Sequence, residues 1–161
     1  MHRRTFIRNS ALLSTGILIS SSLIYCSGKK ISLDDCIGKN KNILDGFPVE
    51  GDSYFSYYTL PQSKFSHSNF SGEQAFVFCK NNKIVGYTIK MNGTDDVENY
   101  MSKLSQKYGV QKKVFENDFG EEFSWETDSR KFSLTYAKNY PNVPKNTYFS
   151  EAVLKNGLMV F

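Results

Sequence analysis

The residue types best able to do chemistry are few and scattered in this chain. His67 is the only histidine besides His2. In Ser66-His67-Ser68 an imidazole stands among hydroxyls, which suggests a base serving a nucleophile. A triad also needs an orienting carboxylate, and no nucleophile-elbow motif supplies one. The plainer reading of His67 is an exposed loop side chain. A second set is acidic: Glu121, Glu122, Glu126 and Asp128. Glu122 and Glu126 fall on one side of a strand, so they are the pair that could act as acid and base on a sugar; ordinary solvated strand carboxylates look the same. Cys36, His67 and Cys79 are too widely spread for the close-paired spacing of a zinc site. Asp95-Asp96-Glu98 has fewer oxygens than a calcium loop and fits a helix cap instead. Gly86 and Gly93 stand alone, without the spacing of a phosphate loop. No metal and no cofactor is therefore expected. The least ordinary group is aromatic. Tyr54, Phe55, Tyr57 and Tyr58 combine apolar area with hydroxyls, as binding surfaces do, and Tyr54, Tyr57 and Tyr58 form the candidate surface, although a strand would turn half of them inward.

The elements that would position these residues follow from periodicity. Tyr54 to Leu60 reads as a strand stopped at Pro61, and Gln62 to Gly72 as a loop. Ala75 to Cys79 and Ile84 to Met91 are β-prone runs on either side of Lys80-Asn81-Asn82-Lys83, where asparagine tolerates the positive φ of a tight hairpin. Val97, Tyr100, Met101, Leu104 and Tyr108 form one apolar stripe of a helix over 95–108. Thr94 or Asp95 would cap it, with an Asp95-x-x-Glu98 box, and Gly109 would end it. Val110 to Glu116 follows as a further run. Phe123 and Trp125, then Phe132, Leu134 and Tyr136, alternate with polar residues on two strands joined at Asp128-Ser129-Arg130. Tyr148 to Leu154 would add a last strand. The expected class is α+β, an antiparallel β-sheet of about five to six strands with one packed α-helix.

Charge narrows the partners. The chain carries 20 basic and 16 acidic side chains, but Arg3, Arg4 and Arg8 lie in the first segment, leaving 17 basic against 16 acidic. Arg130 is the one arginine beyond that segment, and the lysines alternate with acids. No basic stripe exists for a nucleic acid to follow, and none is expected to bind. A 40% hydrophobic and 15% aromatic composition suffices for one core.

The chain begins His2-Arg3-Arg4-Thr5-Phe6-Ile7-Arg8, and an apolar run from Ala11 to Tyr25 follows, ending at Leu23-Ile24-Tyr25-Cys26. A charged start and a short apolar stretch make a signal layout. Fifteen helical residues rise roughly 22 Å against a hydrocarbon core of roughly 30 Å, short for a spanning helix. The start resembles a twin-arginine export signal, carried by Arg3, Arg4 and Phe6, with His2 where that pattern has Ser or Thr. An ordinary secretory signal shares the paired arginines. The end of the run resembles a bacterial lipobox, with Cys26 as the lipidation site and Tyr25 where a small residue is usual. The resemblance implies an exported lipoprotein, held to a membrane through lipid on Cys26 and facing the periplasm or cell exterior. Lipid on Cys26 would leave Cys36 and Cys79 as a pair for a disulfide; buried, unbridged thiols are the other reading. The expected organisation is an export signal over 1–25, a flexible tether over 26–45 and a single α+β domain over 46–161. The expected role is a non-catalytic binding or interaction module of the cell envelope with a protein partner. A small envelope hydrolase using Glu122 and Glu126, or His67, is the alternative.

Overall fold

Asn81 and Asn82 adopt φ values of 50° and 63°, the left-handed pair that a two-residue hairpin demands and that asparagine tolerates. They join the central strands of the fold in the computed structural model, which describes residues 30–138, 141, 144–155 and 158–159. The export signal, Cys26 and Arg3, Arg4 and Phe6 lie outside the described residues.

In chain order the strands are β1 (Ile31–Ser32), β2 (Val49–Gly51), β3 (Phe55–Pro61), β4 (Phe65–Ser66), β5 (Gln74–Lys80) and β6 (Lys83–Asn92). Helix α1 (Val97–Tyr108) follows. After it come β7 (Lys112–Glu116), β8 (Gly120–Glu126), β9 (Arg130–Ala137), β10 (Asn146–Lys155) and β11 (Leu158–Met159). The main sheet is antiparallel in the order β2-β3-β5-β6-β10-β9-β8-β7, with β11 also paired to β10, while β1 and β4 form a separate parallel pair. The class is α+β with one α-helix among the described residues, and the sheet is larger than the expected five to six strands. Seven of its nine strands fall on runs named from the sequence, the run Val110 to Glu116 among them, and the other two are short pieces, β2 and β11, whose two or three residues carry no period to read.

One face of the sheet is covered and the other is open. Alternation does this: Ala75, Val77 and Cys79 on β5, Phe123 and Trp125 on β8, and Phe132 and Leu134 on β9 all enter one core. Helix α1 packs there through Val97 and Leu104, with Tyr100, Met101 and Tyr108 against the same core. Tyr108 stacks on Phe132 at 3.8 Å between ring centres, and Trp125 Nε1 donates to Ser105 Oγ at 3.3 Å. The helix begins differently from expectation. Asp96 is the N-cap residue and its side chain caps no backbone N–H. Instead the Thr94 carbonyl accepts from Val97 N–H, and Asp96 bonds the Tyr100 hydroxyl. Gly109 ends the helix at φ 89°, as its position suggests.

The expected flexible tether of residues 26–45 is corrected over residues 31–45. Ile31, Leu33, Cys36 and Leu44 are buried in the main core, and each of the leucines contributes about 1.5–3 kcal/mol by leaving water. Backbone bonds fix the path between them: Leu33 N–H donates to Ser66 O, Gly38 N–H to Ile84 O, and Lys41 N–H to Asn82 O. The domain therefore includes residues 31–45 as a strap across the covered face. Among the described residues no helix is long and apolar enough to cross a membrane.

Candidate functional site

An open groove on the sheet is built around a turn. Asn117 N–H donates to Gly120 O at 3.0 Å, and Asn117 Oδ1 accepts from the backbone N–H groups of Phe119 and Gly120 at 2.8 and 2.9 Å. That side-chain-to-backbone closure is what asparagine does in turns. It links β7 to β8 and leaves Phe119 standing outward, with its carbonyl accepting from Lys138 N–H at 2.8 Å. Gly120 is required by close approach: a Cβ there would lie 2.8 Å from the Tyr136 carbonyl oxygen. Strand register then sets Phe115, Glu122, Thr135 and Tyr148 in one row across β7, β8, β9 and β10 on the open face.

The result is an open groove of about 320 Å³ with Gly120 and Ala137 paired as a low floor. Phe115 and Phe119, each about half exposed, stand on the β7 side, and Tyr148 and Pro144 on the β10 side. Thr135 and Asn146 bring a hydroxyl and an amide into the lining. Four charges pair on the opposite face of β7 and β8, where the Lys113 ammonium lies 5.3 Å from the centre of the Phe123 ring. Glu116 accepts from Lys138 Nζ at 2.7 Å and from Lys113 Nζ at 2.9 Å. Glu121 lies 3.2 and 3.3 Å from the same two ammonium groups and accepts from the Tyr136 hydroxyl at 2.9 Å. The Lys138 and Lys113 bonds hold the Glu116 carboxyl down to about 2. Bonding to Glu116 in turn raises both lysines. Two cations and two anions cancel.

The tyrosines proposed as a surface separate. Tyr58 is buried on the covered face, where burial raises its hydroxyl pKa. Tyr57 lies on the open face beside Phe76 and Phe78 and donates to the Glu50 carboxylate. Tyr54 precedes the strand, exposed, with the Lys80 ammonium 5.2 Å above its ring. Period two forces this split, so Tyr54, Tyr57 and Tyr58 do not make one surface.

His67 is not the exposed loop residue its neighbours suggested. Its side chain is 5% exposed and lies among the rings of Phe70, Tyr87 and Phe149, at 5.0, 5.9 and 5.5 Å between centres. Nδ1 accepts from Asn69 N–H at 3.1 Å, and Nε2 faces Asp34 Oδ1 at 3.5 Å. Burial lowers its pKa, against the pull of the Asp34 charge. Both nitrogens are thus engaged in holding the loop, and neither is presented to a substrate. Nearby, Glu151 accepts from the Tyr87 hydroxyl at 2.6 Å and from Arg130 at 3.0 Å, a satisfied internal pair.

Glu122 and Glu126 share the open face but sit four residues apart on β8, roughly 13 Å along a strand. Glycosidase carboxylates are at most about 9.5 Å apart. Glu126 also lies 4.0 Å from Lys131, its cross-strand partner. Cys36 and Cys79 are free, buried thiols rather than a disulfide. Burial pushes Cys36 up to about 12 and Cys79 to about 11, and the neighbouring Glu151 charge adds to the shift at Cys36. Among the described residues no group of three His, Cys, Asp or Glu side chains could hold a metal ion. The groove residues Phe115, Phe119, Thr135 and Tyr148 were not singled out from sequence. The available signal was Asn117-Asp118-Phe119-Gly120, a turn sequence carrying one large apolar side chain. In comparisons with protein-family models, curated proteins and solved structures, nothing matches the chain.

Proposed function

We propose that this chain is an exported, lipid-anchored, non-catalytic binding module of the cell envelope, and that the groove beside Phe119 is its contact surface. The observation that carries the binding role is a pair of half-exposed phenylalanines, one of them set on a hydrogen-bonded turn at the mouth of an open groove. Exposed large apolar side chains cost solvation free energy, and a groove that gathers them gains from a ligand that covers them. Of the residues considered for catalysis, His67 holds a loop, and Glu122 and Glu126 are too far apart to act as an acid and base pair. Export and anchoring rest on Arg3, Arg4 and Phe6 and on Cys26 at the end of the apolar run. The mature chain then begins at Cys26 and faces the periplasm or exterior, tied to a membrane by its lipid.

Two measurements test this reading. Intact mass of the membrane-fraction protein is expected to equal residues 26–161 plus lipid on Cys26; an unprocessed Met1 chain in the cytosol would contradict export. Immobilised wild-type protein is expected to retain an envelope component that a Phe119→Ala, Tyr148→Ala double variant does not. Equal retention by both proteins would remove the groove from the account.

A further inference from the structure

We infer that the groove between the β7–β8 turn and β10 takes a neutral saccharide. This rests on the binding-module reading and specifies its ligand. Pyranose rings present C–H bonds on their faces and hydroxyls around their edges, so a site for them needs both aromatic faces and uncharged hydrogen-bonding groups. Phe115, Phe119 and Tyr148 supply the rings, whose negative π faces attract polarised C–H groups. The Thr135 hydroxyl and the Asn146 side-chain amide supply donors and acceptors, and no hydrogen bond engages either side chain among the described residues. The groove volume of about 320 Å³ is at the small end of ligand sites.

Charge argues against an anionic ligand. Glu122 stands in the same open-face row as Phe115, Thr135 and Tyr148 and would repel it, whereas Glu116, Glu121, Lys113 and Lys138 pair with one another on the opposite, Phe123 face. An extended peptide added as a further strand is also disfavoured. At one sheet edge β7 carries Lys112, Lys113 and a register shift between Lys113 and Phe115, and at the other β2 has only three residues. Lysines, bulges and short strands are the features that keep edges from pairing. An acyl chain would leave the Thr135 and Asn146 polar groups without partners, which costs free energy when they lose water.

The test is calorimetric titration of the full chain, purified from the membrane fraction, with cellohexaose, chitohexaose, maltohexaose and hexagalacturonate. At least one uncharged hexasaccharide is expected to bind, with hexagalacturonate weaker. Phe119→Ala and Tyr148→Ala are each expected to weaken it by roughly tenfold, the size of a central contact. Thr135→Val is the second variant, nearly isosteric and on β9 rather than in the turn, and is also expected to weaken binding. Binding of none of the uncharged sugars, stronger binding of hexagalacturonate, or unchanged affinity in Phe119→Ala and Thr135→Val that keep the wild-type melting temperature would overturn the proposal. The failures are separable. Retention of an envelope component without sugar binding would sink the saccharide inference alone. Mass-spectrometric shortening of a bound hexasaccharide would support it and sink the non-catalytic reading.

Discussion

Asp34 and Ser68 are joined twice: the Asp34 carboxylate accepts from the Ser68 backbone N–H at 2.9 Å and from the Ser68 hydroxyl at 2.6 Å. This clasp fastens the strap of residues 31–45 to the loop that carries His67. Although partial burial raises the Asp34 pKa, the Ser68 hydroxyl and the His67 ring lower it further, so the carboxylate is ionised in the fold. Asp34→Ala is expected to cost about 1–2 kcal/mol, the lower part of the range for hydrogen bonds to a charged group because the site is partly exposed. Urea unfolding measures it. A change below about 0.3 kcal/mol would mean the strap is held by its buried side chains alone.

Acid should weaken the fold in two steps. Burial lowers the His67 pKa in the fold, so below its ordinary value of 6.5 the unfolded chain takes up a proton that the folded chain refuses. The His67 contribution is complete above pH 6.5 and declines as pH falls toward the lowered folded value. Asp34, also lowered, keeps its contribution above 3.8 and loses it below. Melting temperature followed from pH 8 to 4 is expected to be flat above about 6.5 and to fall below it, with a shallower fall in His67→Gln. Identical slopes in the two proteins would remove His67 as the cause.

Both thiols are expected to be inert in the folded protein. Thiolate is the reactive form, and burial pushes Cys36 up to about 12 and Cys79 to about 11. In a Cys26→Ser chain, iodoacetamide at pH 8 is expected to modify neither until urea is added, after which both react. Native labelling of either thiol would contradict the burial. A native mass lower by two hydrogens would reveal the bridge that the structure lacks.

The hairpin between β5 and β6 offers a local test. Asn82 at φ 63° occupies a region that costs ordinary L-residues about 1–2 kcal/mol. Asn82→Ala is expected to lower unfolding free energy by about 1 kcal/mol and Asn82→Gly to leave it nearly unchanged. Equal losses for alanine and glycine would indicate that the asparagine side chain, and not its backbone, is what the turn uses.

Where periodicity governed, the sequence was readable. The helical stripe from Val97 to Tyr108, the alternation of Phe123 and Trp125 with polar neighbours, and the asparagine turn each depend on residues close in sequence. The strap was not readable. Leu33, Cys36 and Leu44 follow no helical or strand period and stand among Lys39, Asn40, Lys41 and Asn42, because their burial is set by β5, β6 and the loop after β4. His67 shows the same limit: the rings around it come from Phe70, Tyr87 and Phe149, and nothing in Ser66-His67-Ser68 announces them. The groove needed the register of four strands to place Phe115, Thr135 and Tyr148 in one row, and the Asn117 turn to set Phe119 beside them.

The central claim, that the open-face groove is the binding surface, is tested most directly by hydroxyl-radical footprinting of the membrane-bound chain with and without envelope extract. Protection is expected at Phe115, Phe119 and Tyr148, with Tyr54 and Tyr57 unchanged. Protection confined to Tyr54, Tyr57 and the neighbouring rings of Phe76 and Phe78, with Phe119 fully reactive, would contradict it.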